Sequence, residues 1–296
     1  MGNGMSNFTD FIGGGGGSEV NDVKFITNSD NLITTESGEV WLKGGVTETD
    51  TTTYPDATSA PAYTGTTFST AGQATSESDI GFDGTYFWVL DRGTNAVYKY
   101  NDSGVYQNVT FSVASQSTSM FGIVCVGSDF YTSSAGATPK VYKYNSSGVF
   151  QSDWSVLSEG NYPYGLTYDG THLWVINDSS GGDWAFKYST TGVYQNVRFK
   201  LSDQDNNPHG LTWDGTSFWM CGRSSNSIYK YNASGVYQNV AFSVASQGTD
   251  FHGLVSAGTA LWTVDASSSA AFKYAPQIGC GAGTEGTSNN LYTRIK

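Results

Sequence analysis

Two of the chain's three histidines, His209 and His252, stand 43 residues apart in the same slot of a repeating pattern. Ser78, Phe121 and Tyr164 fill that slot in the preceding copies, so five residues form one aligned column. A pair of neutral imidazoles beside aromatic rings reads in two ways: as a ligand site, or as a plug whose rings hydrogen-bond backbone carbonyls. No third strong ligand aligns with the pair, so neither a metal nor a cofactor is expected. Asp83, Asp169 and Asp214 recur in Asp-Gly pairs. Paired carboxylates could serve glycoside hydrolysis, but one per copy before a glycine marks turn formers. Lys99, Lys143, Lys187, Lys230 and Lys273 also align, and they are five of only 14 basic residues. Structural ion pairs or a solvent-facing strand edge explain that column better than anion binding does. Nucleophile-elbow, zincin, sialidase and phosphate-loop motifs are all missing, so no catalytic residue is assigned and the chain is not expected to be an enzyme. Cys125, Cys221 and Cys280 are odd in number and widely spaced, and are expected to be free thiols.

Composition narrows the elements that could hold these residues. Of 296 residues, 14% are charged and 15% aromatic, with 37 glycines. Aromatic residues suit a pleated surface and glycines suit tight turns, so the chain reads as all-β. The net charge of −12 argues against nucleic-acid binding, which needs a basic stripe. No apolar run is long enough to span a membrane, and residues 1–18 lack the basic start and apolar core of a signal peptide.

A repeat governs residues 63–276. Trp88, Tyr131, Trp174, Trp219 and Trp262 occupy one slot at spacings of 43, 43, 45 and 43 residues. Aromatic-Lys-Tyr triplets, among them Tyr98-Lys99-Tyr100 and Phe272-Lys273-Tyr274, keep the same period, as do glycine turns such as Ser103-Gly104. The segments beginning at Tyr106, Tyr194 and Tyr237 all read Tyr-Gln-Asn-Val. In the third copy the pattern predicts strands A to D at 165–168, 173–176, 185–188 and 194–201. Four antiparallel strands about every 43 residues are the signature of a β-propeller blade. The last copy stops after strand C, while residues 63–69 match a strand D that no strand C precedes. Pairing the two closes the ring and removes both open edges. Five blades are expected; a sixth from residues 19–50 would lack both the Asp-Gly turn and the triplet.

Antiparallel order puts the short A–B and C–D turns on one face, and the variable B–C and D–A loops on the other. Variable loops on a rigid scaffold are the usual place for binding residues. The B–C loops include 90–96 and 177–184, and the two-residue excursion from the period falls in the third copy or its exit. The column, placed one residue before strand A, sits at the centre of this face. The candidate ligand-binding residues are therefore Phe121, Tyr162, Tyr164, Trp184, His209, His252, Arg92 and Arg223, with Phe251, Asp91, Asn95, Asp178 and Asp183 nearby.

The flanks carry a family resemblance. Ser6-Asn7-Phe8-Thr9-Asp10-Phe11-Ile12 with five following glycines resembles the N-termini of bacteriophage tail-fibre and tail-tip proteins. The segment Gly38-Glu39-Val40-Trp41-Leu42-Lys43-Gly44-Gly45-Val46 and the C-terminal Leu291-Tyr292-Thr293-Arg294-Ile295-Lys296 are similar to modules of the same group. The repeat is similar to the NHL-like propeller class, whose strand A opens with a Gly-Leu pair, here Gly165-Leu166, Gly210-Leu211 and Gly253-Leu254. The first copy departs from it with Asp79-Ile80. The resemblance implies a homo-oligomeric virion tail protein, made in the host cytoplasm without a signal peptide. It implies an arm (1–18) docking on other tail proteins, with Phe8, Phe11, Ile12, Gly13, Gly14, Gly15 and Trp41 as assembly residues. Residues 19–62 and 277–296 would form a small β-rich attachment base. The propeller would then display its loop face for a host-surface glycan or protein. An architectural spacer is the alternative, and a polysaccharide-acting enzyme a weaker one.

Overall fold

A computed structural model describes residues 60–179 and 182–276, together with the short pairs at 23–24, 35–36, 39–40 and 292–293. The chain divides into two compact units, residues 59–277 and residues 1–58 with 278–296. In the second of these, Val23–Lys24 pairs with Tyr292–Thr293, and Thr35–Glu36 pairs with Glu39–Val40. The expected arm, all seven assembly residues, Cys280 and most of the expected base lie outside the described residues.

Residues 62–275 form five antiparallel sheets of four strands each, a five-bladed β-propeller. Blade 1 runs Glu77–Phe82, Phe87–Asp91, Ala96–Tyr100 and Tyr106–Ser112 as strands A to D. The A strands of the other blades are Met120–Val126, Tyr162–Tyr168, Pro208–Trp213 and Phe251–Ala257. The five A strands pack against one another in ring order and line the axis. Blade 5 is completed by Ala62–Ser69 from the opposite end of the chain, with Ala270 opposite Ser69, Phe272 opposite Thr67 and Tyr274 opposite Tyr63.

Each structural slot of the repeat has a physical reason. The B-strand residues are apolar without alternation because both faces of a blade are covered: Phe87 to Leu90 and Leu173 to Ile176 are all buried. In the triplets, the last tyrosine is buried and its hydroxyl donates to a D–A loop side chain in every blade. The pairs are Tyr100 with Gln73, Tyr144 with Gln116, Tyr188 with Glu159, Tyr231 with Gln204 and Tyr274 with Gln247. The aligned lysines lie over the slot aromatic, 5.1 Å from the Trp88 and Trp219 ring centres and 5.8 Å from that of Trp262. Lys143 and Lys187 add ion pairs with Asp129 and Asp169. Asp83, Asp169 and Asp214 each accept two backbone N–H groups of their turn, and the second carboxylate oxygen accepts the indole N–H of Trp88, Trp174 or Trp219 at 2.6–2.7 Å. They are turn formers that also fix a core tryptophan.

The blades are joined by apolar cores at their seams. An aromatic ring from strand D of one blade lies on the C–D glycine of the next: Phe68 on Gly104, Phe111 on Gly148, Trp154 on Gly192 and Phe199 on Gly235. These glycines combine positive φ with a ring where a Cβ would stand. At the closing seam Phe68 packs within 5.7 Å, centre to centre, of Phe87, Tyr100 and Trp262. Phe68→Ala should therefore loosen the ring at its closing strand and lower the unfolding free energy by about 3–5 kcal/mol, measured by urea denaturation; a loss under about 1 kcal/mol would show that the seam does not depend on it.

Candidate functional site

The column lies inside strand A, and every blade bulges there. In blade 1 Glu77 faces Asp91 and Asp79 faces Leu90, so Ser78 has no register partner. The same slip passes over Phe121, His209 and His252, and over Tyr164 with Gly165 in blade 3. The expectation that the column precedes strand A is corrected: the A strands begin one or two residues before it. A bulge leaves its extra residue unpaired and re-aims the side chain. Five equivalent bulges turn five side chains together at the loop-face end of the axis.

What gathers there is a continuous rank of rings and charges. The Arg92 guanidinium lies 5.1 Å from the centre of the Phe121 ring. Phe121 meets Tyr164 edge-on at 5.3 Å, and Tyr164 stacks on His209 at 4.3 Å and 16°. His209 Nδ1 lies 2.9 Å from His252 Nδ1. His252 Nε2 is 3.2 Å from Asp250 Oδ1 but out of hydrogen-bond alignment, and Arg223 Nε donates to the same oxygen at 2.6 Å.

This geometry restricts the protons. Two Nδ1 atoms at 2.9 Å share one hydrogen, so one ring donates and the other accepts. A hydrogen on His252 Nε2, facing Asp250, leaves His252 Nδ1 as the acceptor and His209 Nδ1 as the donor. Burial pushes the imidazolium form of both rings down, His209 to about 3, and the cations Arg92 and Arg223 push in the same direction. Asp250 opposes them for both rings. Burial is the largest single influence on Asp250 and would raise it, but the hydrogen bond and charge of Arg223 together with His252 outweigh it and hold the carboxyl below its usual range.

Beneath this rank the axis is very narrow. A Cβ on Gly122 would fall on the Tyr164 carbonyl oxygen, and one on Gly165 on that of His209. One on Gly210 would meet His252 O and Leu254 N, so these glycines are required by close approach of backbone. Blade 1 has Asp79 at this level. Its carboxylate is buried and accepts the backbone N–H of Ile80 at 2.9 Å, of Ile123 in blade 2 at 2.8 Å and of Leu254 in blade 5 at 3.2 Å. Burial nevertheless pushes its pKa well up, against those three bonds. The departure from Gly-Leu is thus a polar clasp between three blades, and its mark in the sequence is a charged residue in a slot that is otherwise glycine.

Other predicted residues are elsewhere. The expected 177–184 loop is instead a lengthened hairpin, strand B running to Ser179 and strand C starting at Gly182. The two extra residues of the third copy fall here, since Trp174 and Lys187 are 13 apart where Trp88 and Lys99 are 11. Trp184 accordingly sits within strand C under the Arg198 guanidinium, 4.3 Å away, and is not part of the rank. Tyr162 opens strand A and is 49% exposed, its N–H donating to Asn177. Phe251 and Asp91 are buried, and Asp91 is engaged by the N–H groups of Thr75, Ser76 and Thr94. Asp265 and Asn177 tie loops in the same way, holding the loop face rigid. Among the described residues no group of three or more His, Cys, Asp or Glu is placed to hold a metal ion. Cys125 and Cys221 are free thiols.

No family model matches the chain, and no curated protein matches it. Glutaminyl cyclase of Myxococcus xanthus is similar in structure, with a TM-score of 0.57 and 13% identity over 72% of this chain and 95% of that one. Virginiamycin B lyase from Staphylococcus aureus (TM-score 0.45, 15% identity, 68% and 81% covered) and a nidogen/laminin complex chain (0.45, 16%, 62% and 69%) are more distant. At these identities the likeness shows the β-propeller fold alone. It also corrects one expectation: an enzyme, the glutaminyl cyclase, has this fold along nearly its whole length, so the reading of this chain as no enzyme does not stand.

Two outcomes follow from the site. With both histidines depressed, the folded state excludes protons that the unfolded chain takes up below about pH 6.5. The stability they contribute is present above that pH and falls as pH drops toward the folded pKa values. Comparing wild type with His209→Gln/His252→Gln, the wild type should lose up to about 1.4 kcal/mol more per histidine per pH unit below about pH 6; parallel curves would refute the buried neutral pair. Asp79→Asn places an amide N–H₂ against a backbone N–H and should cost about 1–3 kcal/mol, read by urea denaturation at pH 7, whereas unchanged stability would remove the clasp.

Proposed function

We propose that the chain is a tail component of a bacteriophage particle whose propeller turns its loop face outward to recognise a host-surface glycan or protein. The flanking segments supply the phage part of this reading through their resemblance to tail-fibre and tail-tip proteins. The N-terminal arm would then hold the chain to other tail proteins, in more than one copy per particle. The observation that carries the recognition part is the mouth itself. Five strand bulges deliver Ser78, Phe121, Tyr164, His209 and His252 to one point, and Arg92 and Arg223 flank it.

A structural plug would need only apolar rings there. Buried imidazoles are costly unless their hydrogen-bonding capacity is used, and their concentration beside two partly exposed arginines at an axis mouth rimmed by rigid loops favours ligand recognition. A surface receptor must present such groups without rearranging, and the carboxylate ties of the loop face provide that rigidity.

The test is competition. Purified protein should slow adsorption of the phage to its host in proportion to its concentration, and Tyr164→Ala/His209→Ala protein with an unchanged circular-dichroism spectrum should have lost that effect. Wild-type protein without any effect on adsorption would instead favour the spacer reading.

A further inference from the structure

Among the described residues, one cation at the mouth has no counter-ion. Arg223 is engaged by Asp250. Arg92 has its main chain fixed by a hydrogen bond from its N–H to Ser76 O at 3.0 Å, and its guanidinium lies over Phe121. The guanidinium's one hydrogen bond is to the Ser76 hydroxyl, at 3.5 Å, and no carboxylate of the described residues lies within ion-pair distance. A guanidinium 5.1 Å over a ring centre with one long hydrogen bond leaves most of its five N–H donors for a ligand, and a guanidinium fork matches a carboxylate in bidentate fashion.

A second group points the same way. His209 Nε2 has no partner among the described residues, and unlike His252 Nε2 it is not sealed from solvent. With His209 Nδ1 donating to His252, this Nε2 carries a lone pair and can accept from a hydroxyl. Tyr162, a half-exposed aromatic residue, stands at the start of strand A. Two arginines stand at this mouth although the whole chain carries −12, and of the two only Arg223 is paired with a carboxylate of the described residues, that of Asp250. A carboxylate, an adjacent hydroxyl and a ring-sized apolar face occur together in an acidic sugar.

We propose that the mouth binds the carboxylate of an acidic sugar unit of a glycan, with Arg92 as its counter-ion and His209 Nε2 accepting from a neighbouring sugar hydroxyl. The inference rests on the recognition reading above and adds the ligand's chemical class.

Calorimetric titration of the full chain with oligogalacturonate, a hyaluronan oligosaccharide and sialyllactose, each beside its carboxyl-reduced form, tests it. At least one acidic glycan should bind, and carboxyl reduction should weaken it about 10- to 100-fold, the worth of a charge-assisted hydrogen bond. Arg92→Gln should lose the same factor, Arg92→Lys should lose less, and Arg198→Gln, on the outer strand of blade 3, should bind as wild type. Thermal melting monitored by circular dichroism establishes that each variant is folded. Equal binding of a reduced form, full affinity in folded Arg92→Gln, or no binding by any acidic glycan overturns the proposal. If a neutral glycan binds while wild-type protein still blocks adsorption, recognition stands and the acidic class falls; if adsorption is not blocked, the recognition reading itself has failed.

Discussion

The pairing of Ala62–Ser69 with Ala270–Ala275 is the contact on which the rest of this molecule depends. It joins residues more than 200 positions apart, so it carries a larger loop-closure cost than any other strand pair in the ring. In exchange it gives blade 5 its outer strand, covers an edge that would otherwise template aggregation, and seats Phe68 between blades 5 and 1. Hydroxyls reinforce it: Thr67 Oγ1 donates to Ala271 O at 2.8 Å and Thr64 Oγ1 to Lys273 O at 3.2 Å.

Closure in turn dictates the axis. With only five blades the A strands approach until backbone meets backbone, and glycine becomes obligatory at Gly122, Gly165 and Gly210. Asp79 uses the remaining room for a carboxylate that reaches the strands on both sides. The bulge one residue earlier then has nowhere to send its side chain except toward the mouth. Recognition chemistry at that mouth is therefore a consequence of tight packing below it, and the Tyr164–His209–His252 rank is assembled by ring geometry, not by local sequence.

Periodicity alone was enough to read the blade count, the Asp-Gly turns and the borrowed strand, because a repeated slot implies a repeated environment. The column could also be found this way, as five residues in one slot. What periodicity does not encode is a departure from regular pairing. The bulge has no residue type of its own, being filled by Ser78, Phe121, Tyr164, His209 and His252, so nothing in the spacing shows that strand A starts before it. The segment 177–184 reads as a loop because Asn177, Asp178, Ser179 and Asp183 are residue types that form turns, yet Asn177 and Asp183 lie in the two arms of the ladder. The Tyr-Gln-Asn-Val identity also had an unseen cause. Asn108, Asn196 and Asn239 take φ near +55° at the register slip of strand D, a conformation that asparagine tolerates better than most residues.

The most direct test of the whole account is a cross-link at the closing seam. Ser69 and Ala270 stand opposite one another in the antiparallel register, at a separation that a disulfide can bridge. In Ser69→Cys/Ala270→Cys protein, mild oxidation should join the two positions nearly completely, seen as a peptide-mapped disulfide and faster migration on a non-reducing gel. Both thiols remaining free to alkylation in folded protein would contradict the closure, and with it the five-blade ring and the mouth it builds.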